Sequence, residues 1–170
     1  DKAILDGADF SQASFLKTSL VGTSLRSTQF RDAVLEQANL ESAEGAKADF
    51  SGAKLMSAKL QQGQFSDADF SGSDVSAADF TEANLTRASF TAAQANQVNM
   101  RGADLTELRA GGGANFEQAN LEQVTAPESI WMQSNLRQAN LKWADMPRSN
   151  LNQTNLSNAS CVAADFKQSD

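Results

Sequence analysis

Large apolar side chains recur along this chain every five residues. Ala8-Asp9-Phe10, Ala13-Ser14-Phe15, Thr18-Ser19-Leu20 and Thr23-Ser24-Leu25 show the unit: a small residue, a polar residue, then a large apolar one. With the large position named the centre, the phase runs from Leu5 to Ala110, gains one residue within Gly111-Gly112-Gly113, and resumes from Phe116 to Phe166, giving 33 centres. All ten Phe and 14 of the 16 Leu fall on centres. Such a period matches neither an amphipathic helix (~3.6) nor a half-buried strand (~2). It matches a chain that runs straight briefly, turns a corner and repeats.

Within the straight part, strand geometry points the small residue and the centre inward and the polar residue between them outward. The two residues after each centre form the corner. Gly7, Gly22, Gly52, Gly72 and Gly102 all stand two after a centre, where a type II turn needs positive φ. Elsewhere that place holds Gln, Ser, Lys or Asp, which predicts mixed turn types.

Four corners close a square coil of 20 residues, so Phe10, Phe30, Phe50, Phe70 and Phe90 fall into one interior column. Coils ~4.7–4.9 Å apart suit offset ring stacking. A second column reads Leu20, Leu40, Leu60, Phe80, Met100, Leu121, Leu141 and Cys161. It stays in phase only if Gly111-Gly112-Gly113 is a swollen corner and not a domain boundary. The expected organisation is one domain over 1–170 with a one-residue insertion at 111–113. Cys161, as a centre, is expected to be a buried small hydrophobe.

Ala48-Asp49-Phe50-Ser51-Gly52, Ala83-Asn84-Leu85 and Ala119-Asn120-Leu121 resemble the pentapeptide-repeat family, whose pattern is Ala-Asp/Asn-Leu/Phe-x-x. The resemblance extends from Ala3 to Phe166 and implies an all-β fold, a right-handed quadrilateral parallel β-helix. About eight coils make a rod roughly 40 Å long. Gly45, Ala95, Ala110, Ala126 and Trp131 depart from the pattern at centres, and Trp131, one coil beyond Ala110, is expected to fill the room Ala110 leaves. No cap is visible at either end. That predicts a module of a longer chain or a rod that self-associates end to end through its terminal coils.

The chain has no His, no Tyr and one Cys, which removes Ser-His-Asp and Cys-His catalysis, Cys/His zinc sites and an intramolecular disulfide. A rod filled by Phe and Leu leaves no expected pocket, so the reading is not an enzyme, with no cofactor and no metal. Lys and Arg number 14 against 21 Asp and Glu, a net charge of −7. Nucleic acid is therefore not an expected partner. No apolar run approaches the ~18–20 residues of a membrane span, so neither is a membrane.

The expected partner is another protein, and the candidate contact residues are apolar side chains in outward slots. Leu16, Val34 and Met56 share one side of the N-terminal coils, Ile130 and Met132 lie on another, and Trp143 stands at a C-terminal corner. Asp67, Asp69, Asp74, Asp79 and Glu82 fall on all four faces and read as a solvated band. Asn84-Leu85-Thr86 and Asn152-Gln153-Thr154 match a glycosylation acceptor only because the repeat composition produces such triplets.

The function that follows is a rigid interaction scaffold or spacer, part of a larger bacterial protein, with a secretion-associated role compatible with the resemblance. The bacterial cytoplasm is the expected location, with periplasm and exterior left open. The alternative is a DNA mimic binding a type II topoisomerase (gyrase), as the family's quinolone-resistance members do. DNA carries one charge per ~1.7 Å, or about 24 over such a rod. A net −7 is far short of that.

Overall fold

The computed structural model describes residues 2–170. The chain is a right-handed parallel β-helix of square section. The polar residue before each centre bridges its counterpart one coil on, always in parallel: Ile4 with Ser24, Asp9 with Gln29, Ser14 with Val34, Ser19 with Asn39. Each straight side is too short for a continuous strand, and its hydrogen bonds all run between coils. Phe30 N–H donates to Asp49 O at 2.6 Å, while Gln29 N–H reaches back to Ala8 O at 2.9 Å. Since no helix or long strand can satisfy the backbone here, coil stacking does so.

Outside the Gly111-Gly112-Gly113 corner, most corners follow one path. The amide three after a centre donates to the centre's carbonyl, as Ala53 does to Phe50 O at 3.0 Å, and the residue two after each centre has positive φ. Positive φ recurs in this phase at 28 non-glycine residues, Lys2 included, as well as at glycines, so outside the Gly111-Gly112-Gly113 corner the mixed turn types expected from composition are absent. The reason is stacking: the amide of each positive-φ residue donates to the corner carbonyl of the next coil, as Asp32 does to Ser51 O at 3.0 Å. A corner of different shape would break that bond. The left-handed conformation costs about 1–2 kcal/mol per non-glycine residue, and no Val, Ile or Thr occupies it. Pro127 and Pro147 stand just before such residues, where a fixed negative φ suits the turn.

The polar slot has a second duty. Its Asp or Asn Oδ1 accepts the amide two residues on, at 2.9 Å from Ser71 to Asp69 and 3.0 Å from Thr86 to Asn84. The side chain thereby caps the corner.

Around the Gly111-Gly112-Gly113 corner the register shifts from 20 to 21 residues, with Gln94 pairing with Asn115, and returns to 20 at Asn115 with Asn135. Gly112 and Gly113 both have positive φ (66° and 81°), and Ala114 N–H closes the turn on Gly111 O at 3.3 Å. Two consecutive positive φ values characterise a type I′ turn, which strongly favours Gly.

The axis is solid. Phe30, Phe50 and Phe70 stack at 5.1 and 4.9 Å with planes within 3°. Trp131 lies fully buried above Ala110 and meets Phe116 edge-on at 5.1 Å. Its indole N–H donates to the buried Ser129 hydroxyl at 2.8 Å. At the two ends Phe10, Phe15, Leu151 and Leu156 are only partly covered. Cys161 is exposed there, against the expectation of burial, because no coil lies over that part of its column. Partial desolvation raises its thiol pKa, so it is not an activated nucleophile.

Candidate functional surface

The outer slots sort into those the fold uses and those it does not. Asp69, Asp74 and Asp79 cap the corners at Ser71, Ser76 and Thr81. Asp67 is gripped by Arg87 at 2.7 and 2.8 Å, and Glu82 accepts from Gln62 at 3.1 Å. The acidic band is thus engaged in shaping corners and, through Asp67 and Glu82, in tying coils together. In the C-terminal half, amides take over this work: Asn99, Asn120 and Asn140 form a ladder with Nδ2–Oδ1 distances of 3.0 and 3.1 Å. Gln97, Gln118 and Gln138 form a second at 3.0 and 2.8 Å.

The apolar candidates do none of this. Leu16 and Met56 are exposed on one corner, but they sit two coils apart with Glu36 between them. Val34, on the adjoining face, is half-buried. Leu16 and Met56 therefore do not form a continuous patch. Ile130 and Met132 do stand together, on consecutive outward positions of one coil beside Gly111. Trp143 is 54% exposed in the left-handed conformation, its amide bonded to the carbonyl of Val162, which is also exposed. Exposed Ile4 and Val162 were not singled out from the sequence.

Between one corner and the next, beside the Gly111 bulge, lies a groove of about 370 Å³ lined by Asp67, Arg87, Glu107, Arg109, Glu128 and Ile130. Asp67, Arg87, Glu107 and Glu128 succeed one another up a corner, and Arg109 and Ile130 are bridge partners on the adjoining face. The Arg87 guanidinium holds the Asp67 carboxyl below the usual range, and Asp67 in turn raises Arg87. Glu128 is bonded by Arg148 at 2.7 Å. Sequence reasoning missed this groove, because its parts are 20 or 21 residues apart and no single stretch displays it. Among the described residues no cluster of His, Cys, Asp or Glu is arranged to hold a metal ion. No helix is long and apolar enough to cross a membrane.

A chain of stacked square coils with Asp or Asn capping many of the corners defines a class of protein, the five-residue-repeat solenoid. The sequence model described as Pentapeptide repeats matches eight copies, over residues 3–41, 23–62, 42–72, 68–106 and 134–170. The chain belongs to this family. The stretch 107–133, which holds the bulge and much of the groove, lies outside those matches. No curated protein matches the chain.

Among solved structures it resembles HetL, a pentapeptide repeat protein involved in heterocyst differentiation regulation from the cyanobacterium Nostoc sp. strain PCC 7120. That match has 21% identity over 99% of this chain and 87% of HetL, with a TM-score of 0.63. A pentapeptide repeat protein of the Arabidopsis thaliana thylakoid lumen matches at 31% identity, over 64% of this chain and 68% of that one, with a TM-score of 0.50. QnrB1, a plasmid-mediated fluoroquinolone resistance protein, aligns over 99% of this chain and 91% of its own at 15% identity, with a TM-score of 0.39.

Proposed function

We propose that this chain is a non-catalytic scaffold, a rigid rod that holds a partner protein on its outer corners. One observation carries the reading: large apolar side chains stand exposed at outward corner positions instead of in the axis. Trp143 is the clearest, since it occupies a left-handed corner position that Gln123 and Ala163 fill in the adjoining coils. Exposed aromatic and Met side chains are characteristic anchors of protein interfaces. The rod keeps such anchors at fixed spacing, because each corner is tied to the next coil by backbone hydrogen bonds.

DNA mimicry has less support. Among the described residues, eight ion pairs interleave Lys and Arg with the carboxylates. Polyanion mimicry needs unbroken negative charge.

The reading is tested by placing a photo-crosslinking residue at Leu16, Met56, Met132 or Trp143, with Gln94 and Asn155 as controls, in the source cells. The expected result is one discrete protein adduct from a subset of the apolar positions and none from the controls. That protein should lose affinity when the same residue is changed to Glu. Adducts that do not depend on position overturn the reading.

A further inference from the structure

Six of the seven arginines, Arg26, Arg31, Arg87, Arg101, Arg137 and Arg148, are ion-paired. Arg109 is the exception among the described residues. It is exposed in the groove beside the bulge, and its charge reaches Asp67 only through space. Of the three carboxylates in the lining, Asp67 is engaged by Arg87 and Glu128 by Arg148, and Glu107 makes no ion pair with Arg109.

The face carrying Arg109 is without a corner cap at Arg109 and Ile130. Asp9, Asp49, Asp69 and Asn150 on this face each accept the amide two residues on. Ile130 has no acceptor to offer, and the Met132 amide is left without one. A free guanidinium, an uncapped amide and two exposed apolar side chains thus lie close together on bridged coils.

We propose that this groove receives a segment of a partner protein carrying an Asp or Glu side chain next to an apolar one. The carboxylate pairs with Arg109, and the apolar side chain packs on Ile130 and Met132. The chemistry selects this occupant. A guanidinium and a backbone amide complement a carboxylate, the group that fills the cap slot elsewhere on the face. Asp67, Glu107 and Glu128 in the same lining oppose any anion, and a doubly charged phosphate more strongly than a singly charged carboxylate, while nucleic acid would leave Ile130 and Met132 unused. The proposal rests on the scaffold reading and names where and how that scaffold grips.

Selection of random peptides displayed on phage against the purified protein tests it, with consensus peptides then measured by fluorescence anisotropy. The expected consensus has Asp or Glu beside Leu, Ile, Met or Phe. Replacing its acid by the amide weakens binding at least tenfold, Arg109→Glu abolishes it, and selection on Arg109→Glu turns the consensus basic. Arg109 makes no pair, so the variant should melt with the wild type; if it does not, Arg109→Gln takes its place and weakens binding likewise. A consensus peptide unaffected at Arg109 overturns the groove, and if Met56→Glu abolishes that binding the scaffold reading survives. No consensus at all overturns the groove too, with crosslinking left to judge the scaffold separately.

Discussion

The ring of Phe65 fills the space a side chain at Gly45 would need: a Cβ on Gly45 would stand 2.6 Å from ring atoms Cδ1 and Cε1. Gly63, the inward small residue of the same side, borders the opposite edge of the ring even more closely. Two missing side chains in adjoining coils thus make room for one ring. Gly45→Ala should destabilise by ~1–3 kcal/mol through overpacking, read as a lower urea midpoint at unchanged slope. Adding Phe65→Leu to Gly45→Ala should recover part of the loss, although Phe65→Leu alone removes buried carbon. Independent costs that simply add would show that the two sites do not share space.

Trp131 depends on a hydroxyl in the same way that Phe65 depends on a vacancy. Ser129 accepts the indole N–H at 2.8 Å, and its own hydroxyl reaches Ala126 O at 2.8 Å and Ser149 Oγ at 2.9 Å, all in the buried interior. Ser129→Ala leaves a buried N–H unsatisfied, at ~1–3 kcal/mol. Trp131→Phe in that background should lose less than it does in the wild type, because the orphaned donor goes with it. Denaturant melts of the four proteins measure this coupling, and additivity would mean the hydrogen bond contributes nothing.

At Trp143 the fold and the proposed interface make opposite demands. The corner there has φ 54°, a conformation Gly adopts freely and β-branched residues resist. Trp143→Gly should leave the thermal midpoint level or raise it, whereas Trp143→Thr, β-branched at a left-handed position, should lower it. A large loss with Gly would mean that the exposed indole supports the fold, removing the argument that it is kept for a partner.

The period, the phase, the Phe column and the swollen corner were legible because a solenoid repeats its demands: every fifth residue meets the same axis, so one rule is written 33 times. The uniform corner was not legible. Positive φ at Lys17, Asp67 or Trp143 arises from pairing with the next coil, and their own propensities point elsewhere. Nor was the work of Ser129, a small residue like its counterparts until Trp131 is seen to lean on it. The apolar outliers could be picked out, but their grouping depends on coil geometry. Glu36 separates Leu16 from Met56, whereas Ile130 lines the groove and Met132 stands beside it on the same coil.

The corner caps set how the rod responds to acid. Hydrogen bonds from the Ser11 hydroxyl and amide hold the Asp9 carboxyl below its usual pKa, and those of Ser24 and Arg26 do the same for Asp6. At Asp49 burial alone would push the carboxyl up, but Ser51 and Arg31 outweigh it and the pKa again falls. A carboxyl whose native pKa lies below its unfolded value of ~3.9 contributes stability above that value. The contribution is lost as pH falls through the native pKa. No His is present to titrate in between. The thermal midpoint should therefore be level from about pH 7 to about pH 5 and fall below about pH 4. Asn caps corners equally well at Asn84 and Asn150, so the double variant Asp9→Asn/Asp49→Asn should keep its corners while its melt declines less steeply in acid. A decline beginning near pH 6, or an unchanged acid slope in the double variant, would show that these caps do not govern acid stability.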